Sequence, residues 1–102
     1  MNEWALNEVL LDVLAERKDQ DEKWGEQNHP DGTGTAYRVD AQFARRACED
    51  AAALGQVTWR HILAEEVFEA LAETDPERLR EELIQVAAVA VSWVEAIDRR
   101  VS

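Results

Sequence analysis

Hydrophobic positions recur every three or four residues along four stretches of the chain, and no stretch alternates strictly, so the pattern predicts helices and no strands. The first helix is expected from about Glu3 to Lys23, with Leu6, Leu10, Val13 and Leu14 as its apolar stripe. The same line continues into Arg17, Gln20, Asp21 and Trp24. A seam that turns polar while its helix goes on either faces a cleft, water or a ligand, or projects past the core. Gly25–Thr35, GEQNHPDGTGT, is dense in breakers and reads as a loop, a candidate flap over a cleft. Its glycines lack the Gly-Lys-Ser/Thr ending and the preceding strand of a phosphate-cradling P-loop. A second helix is expected from about Tyr37 to Leu54, stopped at Gly55. Phe43, Ala44, Ala47, Cys48, Ala51 and Leu54 form its small-residue face, with Arg45 and Arg46 outside as solvated charges.

The remaining pattern, from Trp59 to Trp93, is the one around which the chain is organised. Thr58 suits the N-cap of a third helix, and Asp75-Pro76 is a cap followed by proline at the first position of a fourth. So short a break at Thr74-Asp75-Pro76 sets the two helices antiparallel and adjacent. Winding the residues at about 100° each places Glu66 and Glu69, then Glu65, on the border of the arc Trp59, Ile62, Leu63, Val67 and Leu71. On the fourth helix Glu82, and further round Gln85, border the seam Leu79, Leu83, Val86, Ala90 and Trp93. Equal numbers of residues run back from the turn, which brings Glu66 and Glu69 level with Glu82. Converging carboxylates at the edge of a core need neutralising, by arginines or by a divalent cation such as Mg²⁺. Ile84, Ala88 and Val91 give the fourth helix a second apolar strip. Two apolar faces imply burial on both sides, hence a partner subunit, with a twofold homodimer as the commonest arrangement.

Charge narrows the function. The chain has 102 residues, enough for one domain with a modest core. Its 11 Lys and Arg against 22 Asp and Glu leave a net charge of -11. That balance argues against a binder of duplex nucleic acid or of an anionic membrane surface. The single cysteine, Cys48, rules out an internal disulfide framework and suits the cytoplasm. The opening residues are acidic where a secretory leader is basic, and no window reaches the length of a membrane span. The expectation is a soluble all-α protein built as an antiparallel four-helix bundle-like unit.

Glu65–Ala70, EEVFEA, followed by Glu81–Gln85, EELIQ, resembles the paired glutamate motifs of the MazG-type all-α nucleoside triphosphate pyrophosphohydrolases. The block RKDQDEKWGEQNHPDGTG at Arg17–Gly34 and the segments TWRHILAEE and VAAVAVSWVEAIDRR are similar too, so the likeness runs over most of the chain from Glu16 onward. The resemblance implies Mg²⁺-dependent cleavage of a nucleoside triphosphate to the monophosphate and pyrophosphate, with Mn²⁺ as a substitute metal. Carried over by position, Glu66, Glu69, Glu82 and Gln85 would be metal ligands. Glu65, the leading residue of the first motif, would be a further ligand or the catalytic carboxylate that orients the attacking water. Arg17, Gln20, Lys23, Trp24 and His29 would contact the nucleotide. Gln85 stands where the family has aspartate, and it brings a carbonyl oxygen without a charge. Glu95–Asp98 repeats the Glu-x-x-Asp spacing, but it lies several turns past the pairing level and about 140° around the helix from Glu82. The other reading left by Gln85 is an acidic helical binding or regulatory module that has kept the scaffold without turnover.

Overall fold

The computed structural model describes residues 1–100 of the chain. All regular structure among them is helical: α1 (Glu3–Trp24), a 3-10 turn (Thr35–Tyr37), α2 (Arg38–Ala53), α3 (Trp59–Leu71) and α4 (Pro76–Arg100). The chain divides into two compact units. One holds Met1–Asp31 with the part of α4 from Val91, and the other holds Gly32–Ala90.

In the first unit, Asn2 starts α1 by accepting from the backbone N–H groups of Trp4 and Ala5 at 3.0 and 3.2 Å, which satisfies two otherwise orphaned donors. Gly25, at φ 67°, ends the helix in the left-handed region where glycine carries no steric penalty. The residue α1 sinks fully is Val9, with Ala5 and Leu6 half-buried. Leu10, Val13 and Leu14, expected on the core stripe, are each close to half exposed. The apolar arc of α1 is wider than one contact line, and the helix is rolled so that its Ala5–Val9 edge is the covered one. Gln20 lies on that same edge and is half-buried, whereas Arg17, Lys23 and Trp24 are exposed.

The second unit is built on α3, where every residue except Arg60 is at least partly covered. Thr58 caps it as expected. Its Oγ1 accepts from the His61 N–H at 3.3 Å, and His61 Nδ1 accepts in return from the Thr58 N–H at 3.1 Å. The reciprocal pair is a capping box with histidine in place of the usual glutamate. α2 packs along α3 and turns Ala41, Ala44, Cys48 and Ala51 inward, spaced so that all four share one side of the helix. Phe43, Ala47 and Leu54 are exposed, contrary to the expected face. Small side chains let the two backbones approach, and the bulky ones turn outward. α2 ends in a Schellman motif: the Gln56 N–H donates to the Ala51 carbonyl at 2.8 Å and the Gly55 N–H to that of Ala52 at 3.0 Å, with Gly55 at φ 69°. The loop before the 3-10 turn is pinned to α3, because the Gly34 N–H donates to the Leu71 carbonyl at 2.8 Å.

Residues 72–75 reverse the chain into α4. The Asp75 side chain accepts from the Glu77 N–H at 3.2 Å and its carbonyl from the Leu79 N–H at 2.8 Å, so the cap and the proline act together. The covered line of α4 in this unit is Leu79, Glu82, Val86 and Val89. It is rotated from the expected seam, leaving Leu83 and Ala90 exposed and carrying Glu82 into the contact face. Of the second strip, Ile84 and Ala88 are exposed and Val91 is half-buried.

Candidate functional site

α3 presents Glu66 and Glu69 one helical turn apart, and the chain reversal at 72–75 brings Glu82 of α4 against them. One carboxylate oxygen from each lies within 4.8 Å of the other two. Ligand oxygens about 2.1 Å from Mg²⁺ stand about 3 Å apart when adjacent and about 4 Å apart when opposite. Modest side-chain rotation therefore closes this cluster around a hard cation.

The electrostatics of the cluster are unresolved from within. Glu66 Oε2 and Glu82 Oε2 are sealed from solvent and meet no hydrogen-bond donor. Burial, then the carboxylates of Glu69, Glu82 and Glu65, raises the Glu66 carboxyl above the ordinary range. Burial, then Glu69, Glu73 and Glu81, does the same to Glu82. At an effective dielectric of about 20, two charges at this separation repel by roughly 3 kcal/mol. The positive charge nearest to hand is Arg45 of α2, whose Nη2 stands 3.5 Å from Glu69 Oε1. That side chain is 61% exposed, so the pair is long and solvated, worth at most about 1 kcal/mol. One loose guanidinium does not balance three converging carboxylates. The orphaned oxygens and the all-oxygen donor set fit a divalent cation of the Mg²⁺ or Mn²⁺ type.

A groove of about 330 Å³ opens beside the cluster, lined by Arg38, Ala41, Gln42 and Arg45 from α2 and by Glu69, Ala72, Glu73 and Glu82 from the hairpin. Arg45, read from the sequence as an ordinary solvated charge outside the packing face, is part of this wall. Arg38, Gln42 and Glu73 join it without having stood out in the sequence. For Arg38 the helical count contained the signal, because it precedes Arg45 by seven residues on the same face of α2, whereas Glu73 lies in the reversal past the end of α3, where helical spacing does not reach. Which way α2 faced was the missing quantity. Glu73 is additionally held by the turn, its Oε1 accepting from the N–H groups of Thr74 and Asp75 at 3.1 and 3.2 Å.

The other expected site residues fall in different places. Glu65 is half-buried, belongs neither to the triad nor to the groove lining, and lies near Cys48 of α2; burial, first, and then Glu65 raise the pKa of that thiol. Gln85 is exposed and does not line the groove, because a three-residue step from Glu82 turns it off the covered side of α4. Arg17, Gln20, Lys23, Trp24 and His29 all belong to the first unit. There Arg17 Nη1 donates to Gln20 Oε1 at 2.9 Å, the Lys23 ammonium sits 4.9 Å from the centre of the Trp24 ring, and His29 Nε2 lies 3.1 Å from Gln27 Oε1. Arg17 and Gln20 border one hollow with Asp21, Gly25, Glu26 and Gln27, and Trp24 and His29 border another.

Among the described residues no helix is long and apolar enough to cross a membrane. No family model, curated protein or solved structure matches the chain.

Proposed function

We propose that the protein is a Mg²⁺-dependent nucleoside triphosphate pyrophosphohydrolase of the MazG-like kind, acting in the cytoplasm. The observation that carries this reading is the convergence of Glu66, Glu69 and Glu82 with two sealed, unpartnered carboxylate oxygens among them. It is supported by the resemblance of EEVFEA and EELIQ to that family's glutamate motifs.

Glu66, Glu69 and Glu82 hold the cation, and when bound it supplies positive charge against the phosphoryl oxygens. Water adds to the α-phosphorus while the bond from that phosphorus to the bridging oxygen breaks, and the electron pair leaves on pyrophosphate. Glu65, the leading residue of the first glutamate motif, is the carboxylate that the resemblance assigns to the metal or to orienting the attacking water. Within the first unit, Trp24 has an exposed flat face suited to stacking on a base, and Arg17, Gln20, Lys23 and His29 are the further nucleotide contacts that the family resemblance implies. Exposed apolar side chains on α1, α2 and α4 (Leu11, Phe43, Leu54, Leu83 and Ile84 among them) favour a homodimer or larger homo-oligomer.

The exposed amide of Gln85, in place of an acid, favours a second reading, an acidic helical binding or regulatory module that does not turn over. Incubation with a panel of ribo- and deoxyribonucleoside triphosphates and Mg²⁺ separates the two. Pyrophosphate release from at least one nucleotide, reduced by a hundredfold or more in Glu66→Ala (on the order of 3 kcal/mol of transition-state stabilisation), is expected. Absence of release from every nucleotide rejects the enzyme.

A further inference from the structure

The wall of the groove opposite the carboxylates carries two guanidinium groups, and nothing in the pyrophosphohydrolase reading so far uses them. Arg38 and Arg45 are seven residues apart on α2, so they lie on nearly one line, about 10 Å apart along the helix. Ala41 and Ala72, two of the lining residues between these charged groups, are small and leave the groove open. Arg45 reaches Glu69 only at 3.5 Å, with most of its side chain in solvent and Glu69 itself 24% exposed. A pair so long and so solvated holds the guanidinium only weakly.

We propose that Arg45 is an exchangeable counter-charge: it occupies Glu69 while no cation is bound and swings to the phosphate chain of the substrate once the cation takes its place. Arg38 extends the same anion-binding line. The inference rests on the pyrophosphohydrolase reading of this site, and it names the protein group that receives the phosphates. A guanidinium presents a planar fork of donors matched to phosphate oxygens, so its release by an incoming cation makes a second binding element available at the moment the substrate's charge arrives. Arg45 is thus a binding and positioning residue whose two engagements exclude each other. Its removal therefore has opposite consequences for the two ligands: the cation loses a competitor and binds more tightly, and the phosphate chain loses a partner and binds more weakly.

Calorimetric titrations of the full chain test this, first with Mn²⁺ alone and then with inorganic triphosphate at saturating Mn²⁺. Arg45→Ala is expected to tighten Mn²⁺ binding several-fold and to weaken triphosphate binding about tenfold. Arg45→Lys should recover part of both effects, and Arg46→Ala, outside the groove lining on the same helix, should change neither. Should Arg45→Ala lose helical content, Arg45→Gln provides the same comparison with the side-chain bulk retained. Mn²⁺ and triphosphate affinities that shift in the same direction, or that match those of Arg46→Ala, overturn the exchange while leaving the metal site standing. A wild-type chain that binds no Mn²⁺ removes the site and the exchange together.

Discussion

Glu66 and Glu82 set the electrostatic character of the molecule, and their effect on stability has a definite sign. Both carboxyls are raised, by burial first and by neighbouring acids second. Between the ordinary value and the raised one, the folded chain binds more protons than the unfolded chain. Stability therefore falls as pH rises through that window and increases on acidification. Denaturant midpoints are expected to rise as the metal-free protein is acidified from neutral pH toward the ordinary carboxylate range, with a smaller rise in Glu82→Gln. Equal slopes in the two proteins would show that Glu82 is not strained by its neighbours. The helical count foresaw that Glu66, Glu69 and Glu82 would meet, because all three are fixed by local spacing and one short turn. It could not foresee Arg45, which is 24 residues from Glu69 and meets it only through the packing of α2 on α3.

At the scale of the helices, ends proved more legible than faces. Thr58, Asp75-Pro76 and Gly55 act through bonds to residues a few positions away, so their chemistry is written in adjacent letters. Faces depend on what lies opposite. Leu79 and Leu83 are equally apolar, yet Leu79 is 8% exposed and Leu83 52%, because α4 is rolled to carry Glu82 inward. The same freedom put Val9, and not Leu10 or Leu14, at the covered edge of α1. Truncating the cap in Thr58→Ala should cost about 1 kcal/mol, read as a lower midpoint in thermal unfolding, without displacing the acidic cluster. An unchanged midpoint would mean that the Thr58–His61 pair does not hold the start of α3.

Across the whole molecule, buried apolar side chains are few. Val9, Ala70 and Leu79 are the buried hydrophobic residues among those described, while Phe43 of α2 and Leu54 at its end are 70% and 72% exposed. Such a surface is suited to a second copy of the chain, and the proposed oligomer predicts a mass in solution of at least twice 11.6 kDa. A monomeric mass at micromolar concentration would contradict it. The net charge of -11 opposes self-association at long range, so the oligomer should strengthen with added salt.

The claim on which the functional reading depends is that Glu66, Glu69 and Glu82 enclose a divalent cation. Crystals grown or soaked with Mn²⁺, with data collected for anomalous scattering, test it directly. A single anomalous peak within about 2.3 Å of an oxygen from each of the three glutamates is the expected result. Anomalous maps without a peak there, and with the carboxylates turned apart toward solvent, would contradict it.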